Sequence, residues 1–390
     1  MDVKTVEGQV QRLRIDMDYA LDVLVRLLNT PSPTGYTDQI VHLVAEELDA
    51  LGLSYELTRR GAMRVEIKGA QPSPDRAIVA HLDTLGAQVK ALKDNGRLEL
   101  VRIGHWSARF AEGARVFLYT RDGMYRGTIL PLKASGHTFN EEIDTQPVAW
   151  TNLELRVDAD ARCAEDLANL GIAIGDFVAI DAQPEVGELS GYINSRHLDD
   201  KAGVAAVLAA AKAIVDNGVK LPLDAFLLLT ISEEVGSGAS AVLHGDVSEM
   251  VTVDNGTVAP GQGSRETGVT IAMADTIGPF DYHLTHKLID LCADYSIAHQ
   301  RDIFRYYRSD SASAIEAGSD IRTALVCVGV DASHGYERTH SSAIRCVAEL
   351  LTLYLQSPPT AMRDRKTLGT IEGFTDQPVE PDGLERSSDD

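Results

Sequence analysis

Five polar clusters in this 390-residue chain carry residue types that can hold metal ions or move protons: His81-Leu82-Asp83, Asp199-Asp200, Glu233-Glu234, Asp254 and His340. Two imidazoles and several carboxylates, with no thiolate among them, suit a pair of divalent ions, zinc first, with cobalt or manganese as alternatives. Such a pair acidifies a water and polarises a carbonyl, which is what hydrolysis of an unreactive amide requires. A carboxylate beside the ions but not bound to both can then serve as the general base. The four cysteines, Cys163, Cys292, Cys327 and Cys346, are too far apart for a CxxC site or a disulfide framework and read as reduced, mostly buried thiols. Any zinc therefore rests on histidines and carboxylates.

Taken singly, each cluster has an ordinary explanation, because acidic residues routinely cap helices. Asp199 or Asp200 could simply cap the alanine-rich helix that follows. Glu233 and Glu234 are harder to explain in that way. They come directly after the apolar run Ala225–Ile231 and enter the glycine-rich Gly236-Ser-Gly238, so a buried strand delivers two adjacent carboxylates, a costly placement without a cation. Asp254 has the same setting at the end of Met250-Val-Thr-Val253.

The elements that must position these residues follow from apolar periodicity. Helices are expected over Tyr19–Leu28, stopped by Pro31-Ser-Pro-Thr-Gly35, and from Asp38 to Leu51, closed by Gly52. Strands follow at Met63–Ile67 and Ala77–Ala80, the latter running straight into His81. From Ala87 to Val186 the texture changes to short alternating runs broken by glycine, an all-β pattern. Helices (Ala202–Val215, Tyr282–Tyr295, Ser342–Leu355) and strands (Ala225–Ile231, Val251–Val253, Thr323–Val330) then alternate. The expected fold class is α/β: a mostly parallel central sheet with helices on both faces, interrupted by an inserted small β-barrel. The corresponding divisions are 1–86 and 188–357 for the α/β part, 87–187 for the insert, and 358–390 for a mobile acidic tail. In an open α/β sheet the carboxyl ends of the strands face one crevice, where residues distant in sequence converge.

Composition narrows the partners. Thirty-six Lys and Arg against fifty-eight Asp and Glu leave a formal charge of −22, which repels phosphate backbones and anionic lipid, so nucleic acid is excluded as a partner. No apolar run reaches the roughly 18 residues that cross a bilayer, and the charged start does not resemble a signal peptide. No membrane partner and a cytoplasmic location are expected.

Five motifs in order, Ala80-His-Leu-Asp-Thr-Leu-Gly86, Ser195-Arg-His-Leu-Asp-Asp-Lys-Ala-Gly203, Ser232-Glu-Glu-Val-Gly236, Val253-Asp254 and Arg338-Thr-His340, resemble the co-catalytic di-metal aminopeptidases of metallopeptidase family 42. That family includes tetrahedral glutamyl and lysyl aminopeptidases, and some members carry cellulase-like labels. The resemblance implies His81, Asp199 and Asp254 on one metal and Asp199, Glu234 and His340 on the other, with Asp199 bridging because it stands four residues before Gly203. Glu233 matches the general base, and Asp83 the carboxylate that orients the His81 ring. The residues before His340, Tyr336-Glu-Arg-Thr339, depart from the Arg-Tyr-Ile-His form common in relatives. His197, His283, His286 and His334 have no match and read as structural or solvent-exposed, although His197 and His334 could line the cleft.

The resemblance further implies short peptide substrates and a homo-oligomer, dimers through the β-barrel and a tetrahedral dodecamer beyond them. Segments around Gly104-His-Trp106 and Gly278-Pro-Phe280 resemble a bacterial branch associated with the osmoprotectant N-acetylglutaminylglutamine amide, which makes a small blocked dipeptide or its precursor an alternative substrate. A glycosidase or a noncatalytic metal-binding scaffold are competing readings; glycosidases use two free carboxylates rather than metals. Arg308, Arg322 and Arg338 are candidates for meeting an acidic substrate side chain, or else form surface ion pairs.

Overall fold

The computed structural model describes residues 10–379. Four strands without exposed faces form its centre: Ala225–Thr230, Asp75–His81, Val247–Val258 and Arg322–Asp331 lie side by side in that order, all parallel. Most of their residues are apolar and nearly all are buried, as expected of strands covered on both sides. The flanks are antiparallel: Met63–Ile67 and Tyr55–Leu57 on one edge, Glu337–His340, Tyr192–Ser195 and Glu185–Val186 on the other. The sheet is therefore mixed, twelve strands in all, with a further parallel pair, Val269–Asp275 with His299–Ile303, branching from Arg322–Asp331.

The helix Leu198–Asp216 packs against these central strands and against the helices Met17–Leu28 and Ser341–Gln356. It is buried nearly all round, and its alanines (Ala202, Ala205, Ala206, Ala209 to Ala211) let strand and helix backbones approach it closely. Its first turn is irregular: Asp199 is extended (φ −77°, ψ 107°), which turns its side chain toward the ends of the sheet strands rather than along the helix.

Six antiparallel strands, Gly86–Leu92, Leu98–Ile103, Arg115–Tyr119, Met124–Pro131, Leu153–Val157 and Phe177–Ile180, close into a barrel. Val116, Leu118 and Ile129 fill its own interior together with Leu98, Leu155 and Val178. The barrel meets the α/β part through Tyr36, stacked on Tyr119 at 4.6 Å and tilted on Phe177 at 5.5 Å. Trp106, buried, donates from Nε1 to the Gly86 carbonyl at 3.1 Å.

The stretch after Pro358, expected from composition to be mobile, is tied down at its start. Buried Arg76 donates to the carbonyls of Tyr354, Ser357 and Pro358, the Thr360 amide donates to Glu249, and Arg322 pairs with Asp364. Residues 380–390 of that tail lie outside the described residues.

Candidate metal centre

The strand Asp75–His81 ends on His81, whose ring is 2% exposed. Its Nδ1 lies 2.9 Å from the Asp83 carbonyl oxygen, which fixes Nδ1 as the donor and aims Nε2 into the crevice. There Nε2 stands 3.1 Å from Asp199 Oδ1 and 3.9 Å from both Asp254 Oδ1 and Glu233 Oε2. The expectation that the Asp83 carboxylate orients this ring is revised: Oδ1 is 3.7 Å away, and the backbone carbonyl does the orienting. The Asp83 carboxylate instead accepts the amides of Glu233 (3.1 Å) and Glu234 (3.3 Å) and the Thr34 hydroxyl (2.6 Å). It holds the loop that presents the two glutamates.

That loop has a second anchor. Buried Asp310 accepts from the Thr230 hydroxyl at 2.7 Å, the Ala239 amide at 2.5 Å and the Ser313 hydroxyl at 3.2 Å. A Cβ at Gly238 would stand 2.1 Å from Asp310 Oδ1, so only glycine lets the loop close on that carboxylate. Asp254 does not terminate its strand as the sequence suggested. Pairing continues from Asp254 opposite Cys327 to Val258 opposite Asp331, and the carboxylate projects from mid-strand, 2% exposed, because the long neighbour Arg322–Asp331 supplies partners to the end. Asp200 folds back on Gly203 and toward the His81 amide, leaving Asp199 alone to face both imidazoles.

The second imidazole is His334. Its Nε2 is 3.2 Å from Asp199 Oδ2, and its Nδ1 is 2.9 Å from the carbonyl oxygen of His105, contributed by the segment between two barrel strands. Ligand atoms of Asp199, Glu234 and His334 come within 4.8 Å of one another, as do those of His81, Asp199 and Asp254. His340, expected here, is elsewhere: its Nε2 meets the Ser190 carbonyl at 3.1 Å, its Nδ1 accepts the Ser342 amide at 3.1 Å, and its ring packs edge-on to Tyr192. The reason is strand phase. In Glu337–His340 the buried side chains are Glu337 and Thr339, so residue 340, one step out of register with both, points away. Glu337 faces the site and accepts the amides of His334 (2.7 Å) and Asp199 (3.2 Å).

The electrostatics suit cations. Burial, with neighbouring carboxylates, pushes Asp200, Glu233 and Glu234 well above the ordinary range, Asp254 up to about 7 and Glu337 up to about 8. Burial would lower the two histidines, but the Asp199 hydrogen bonds and surrounding negative charge raise His81 well above its usual value and His334 to about 10. Asp199 moves the other way: burial would raise it, yet hydrogen bonds from His334 and His81 hold it below the normal carboxylate range. So many dry carboxylates around two imidazoles with their Nε2 atoms converging form a donor set that divalent cations would satisfy. The buried Asp200 Oδ1 and Asn255 Oδ1 have no hydrogen-bond partner, a further sign of uncompensated polarity here.

His334, Glu337, Asn255 (which donates to Asp199 Oδ2 at 2.6 Å) and Asp310 were not singled out from the sequence as members of the site. For His334 the signal existed: like His81, it follows an apolar strand within a few residues, at Asp331-Ala-Ser-His334-Gly335. The other three are visible only through what they touch.

Comparison with known proteins shows the family and the fold. Residues 61–350 match the family model described as M42 glutamyl aminopeptidase. The Bacillus subtilis (strain 168) protein YhfE, named provisionally as an aminopeptidase, is 36% identical over 339 residues, covering 87% of this chain and 97% of its own. Among solved structures, aminopeptidase APDkam598 from the archaeon Desulfurococcus kamchatkensis superposes with a TM-score of 0.80 at 21% identity, covering 91% of this chain and 99% of its own. The Pyrococcus horikoshii TET1 peptidase, described as able to assemble into a tetrahedron or a large octahedral shell, gives 0.75 at 22% identity, covering 86% and 99%.

Proposed function

This chain belongs to the M42 aminopeptidase family, and on that premise we propose that it removes N-terminal residues from short peptides using two divalent cations, with Glu233 as the general base. The cations would be held by His81, Asp199 and Asp254 and by Asp199, Glu234 and His334. The observation that carries this reading is the reach of Asp199: its two carboxylate oxygens lie 3.1 and 3.2 Å from two imidazole Nε2 atoms, each imidazole oriented by a backbone carbonyl. One carboxylate shared between two ligand sets is what a bridged pair requires.

When bound, the two cations supply Lewis acidity, acidifying a water and polarising the scissile carbonyl. Glu233 takes the proton from that water and returns it to the departing amine. Burial raises its proton affinity, and positive charge from bound cations would lower it. Asp83 and Asp310 fix the backbone from which Glu233 and Glu234 diverge, so one can bind a cation while the other stays free. Zinc fits the His and carboxylate donors, with cobalt or manganese as alternatives. Among the described residues no helix is long and apolar enough to cross a membrane. The tetrahedral assembly described for the Pyrococcus horikoshii peptidase supports a homo-oligomer here.

The decisive experiment is Glu233→Gln, which preserves shape and removes the base. Turnover of alanyl and glutamyl peptides should fall by about 10²- to 10⁴-fold while two ions per chain are retained. Full activity in that variant would exclude Glu233 as the base, and activity insensitive to a chelator would exclude the metal mechanism.

A further inference from the structure

A narrow cleft opens beside Asp199 and His334, walled by Leu85, Trp106 and Ile180 from the barrel side. Three arginines that the sequence offered as anion readers are already paired: Arg308 with Glu316, Arg322 with Asp281 and Asp364, and Arg338 with Glu266. Arg196, which lines the cleft, is different. Among the described residues no carboxylate lies within ion-pair distance of its half-buried guanidinium, and no group accepts a hydrogen bond from it. Burial lowers its pKa, with Glu337 opposing the shift.

The charges around it are already committed. Both Glu337 oxygens are taken by the amides of Asp199 and His334, Asp199 serves the two imidazoles, and His197 meets the Ile180 carbonyl at 3.2 Å and is kept neutral by burial. The Arg196 backbone is fixed, its amide donating to Ala182 at 2.9 Å and its carbonyl accepting the Ser195 hydroxyl at 2.8 Å. A five-donor planar fork, held at its base and without a protein partner at its tip, suits a planar bidentate acceptor.

We propose that Arg196 is a specificity-determining residue that binds a carboxylate of the peptide substrate in this cleft. The proposal rests on the peptidase reading above. The carboxylate is either the C-terminus of a very short peptide or the side chain of an acidic residue, and the chemistry of recognition is the same for both.

The test uses the metal-loaded full-length enzyme, its Arg196→Met and Arg196→Lys variants, and two substrate pairs: Ala-Ala against Ala-Ala amide, and Glu-Ala amide against Gln-Ala amide. Arg196→Met should collapse the parent's preference for the carboxylate-bearing member of one pair by about 10- to 100-fold in kcat/KM, the range for losing a charge-assisted hydrogen-bonded pair, with Arg196→Lys retaining part of it. Collapse in the first pair assigns the C-terminal carboxylate, and collapse in the second the side chain. Equal loss on all four substrates, or loss on none, overturns the role of Arg196. Metal content and melting temperature of Arg196→Lys, unchanged from the parent, separate a binding defect from misfolding. A parent enzyme that cleaves none of the four peptides overturns the peptidase reading itself and this proposal with it.

Discussion

Replacing His334 by alanine, beside His340→Ala, probes the centre most directly, because sequence resemblance points to one histidine and the fold to the other. His334 Nε2 lies 3.2 Å from Asp199 and its Nδ1 is engaged by His105, whereas both ring nitrogens of His340 are spent on Ser190 and Ser342. Without His334 the second ion keeps only Asp199 and Glu234. Losing a residue that merely orients a ligand costs about 10- to 100-fold in affinity, so losing the ligand itself should cost at least about 100-fold, or about 2.7 kcal/mol. His340→Ala should keep both ions and lose about 1 kcal/mol of stability with its N-cap contact. The proton gives a second readout. In the metal-free protein His334 has its pKa raised to about 10, so its stabilising interaction with Asp199 is fully present below pH 6.5 and is lost as pH rises through about 10. A cation must displace that proton, at a cost of about 4 kcal/mol at pH 7, and affinity for the second ion should therefore rise with pH across this window. Metal per chain after dialysis and calorimetric titration between pH 6 and 9 measure both effects. Two tightly held ions in His334→Ala, or one in His340→Ala, would refute the assignment.

Other consequences are open to direct measurement. Asp310→Ala strips the Ala239 amide and the Thr230 hydroxyl of their partner, so denaturant unfolding should show a loss of about 2–4 kcal/mol, and kcat should fall as the Glu233 loop loosens. Arg76→Met leaves Glu249 buried without its cation and releases the carbonyls that hold the chain near Pro358. A loss of about 3–5 kcal/mol is expected, and Arg76→Met/Glu249→Leu should recover part of it, which a double-mutant cycle will read. Lys287 has its pKa lowered by burial from 10.5 to about 7, so the unfolded chain binds more protons between those values. The stability of the parent relative to Lys287→Met should therefore increase with pH from about 7 to 10.5, by no more than about 1.4 kcal/mol per pH unit, and a flat difference would contradict it.

Much of this site was legible in the linear chain. The apolar run ending at His81, and the run Ala225–Thr230 leading into Glu233 and Glu234, announce buried strands that deliver polar side chains, a juxtaposition costly enough to indicate ligands. The family resemblance, which places the bridging carboxylate four residues before Gly203, separated Asp199 from Asp200, and the fold shows a reason for that glycine: a Cβ there would stand 2.1 Å from Asp200 Oδ1. The alternating texture of the insert reads as β because a barrel strand buries every second side chain. The choice between His334 and His340 was not legible. It depends on the register of Glu337–His340 against Tyr192–Ser195, a pairing between segments about 145 residues apart, in which Glu337 opposite Ser195 turns residue 340 outward. The part played by the barrel was hidden for a similar reason, since the carbonyl of His105 carries no sequence signal whatever its partner.

Residue identity and local periodicity alone determined the chemical repertoire of this protein: histidines and carboxylates without thiolates, set beside or within buried apolar runs. Tertiary structure alone decided which oxygen orients His81, which histidine meets Asp199, and that Arg196 lines the cleft without a carboxylate partner. Those outcomes depend on strand phase and on backbone groups common to every residue, and only packing between distant segments assigns them.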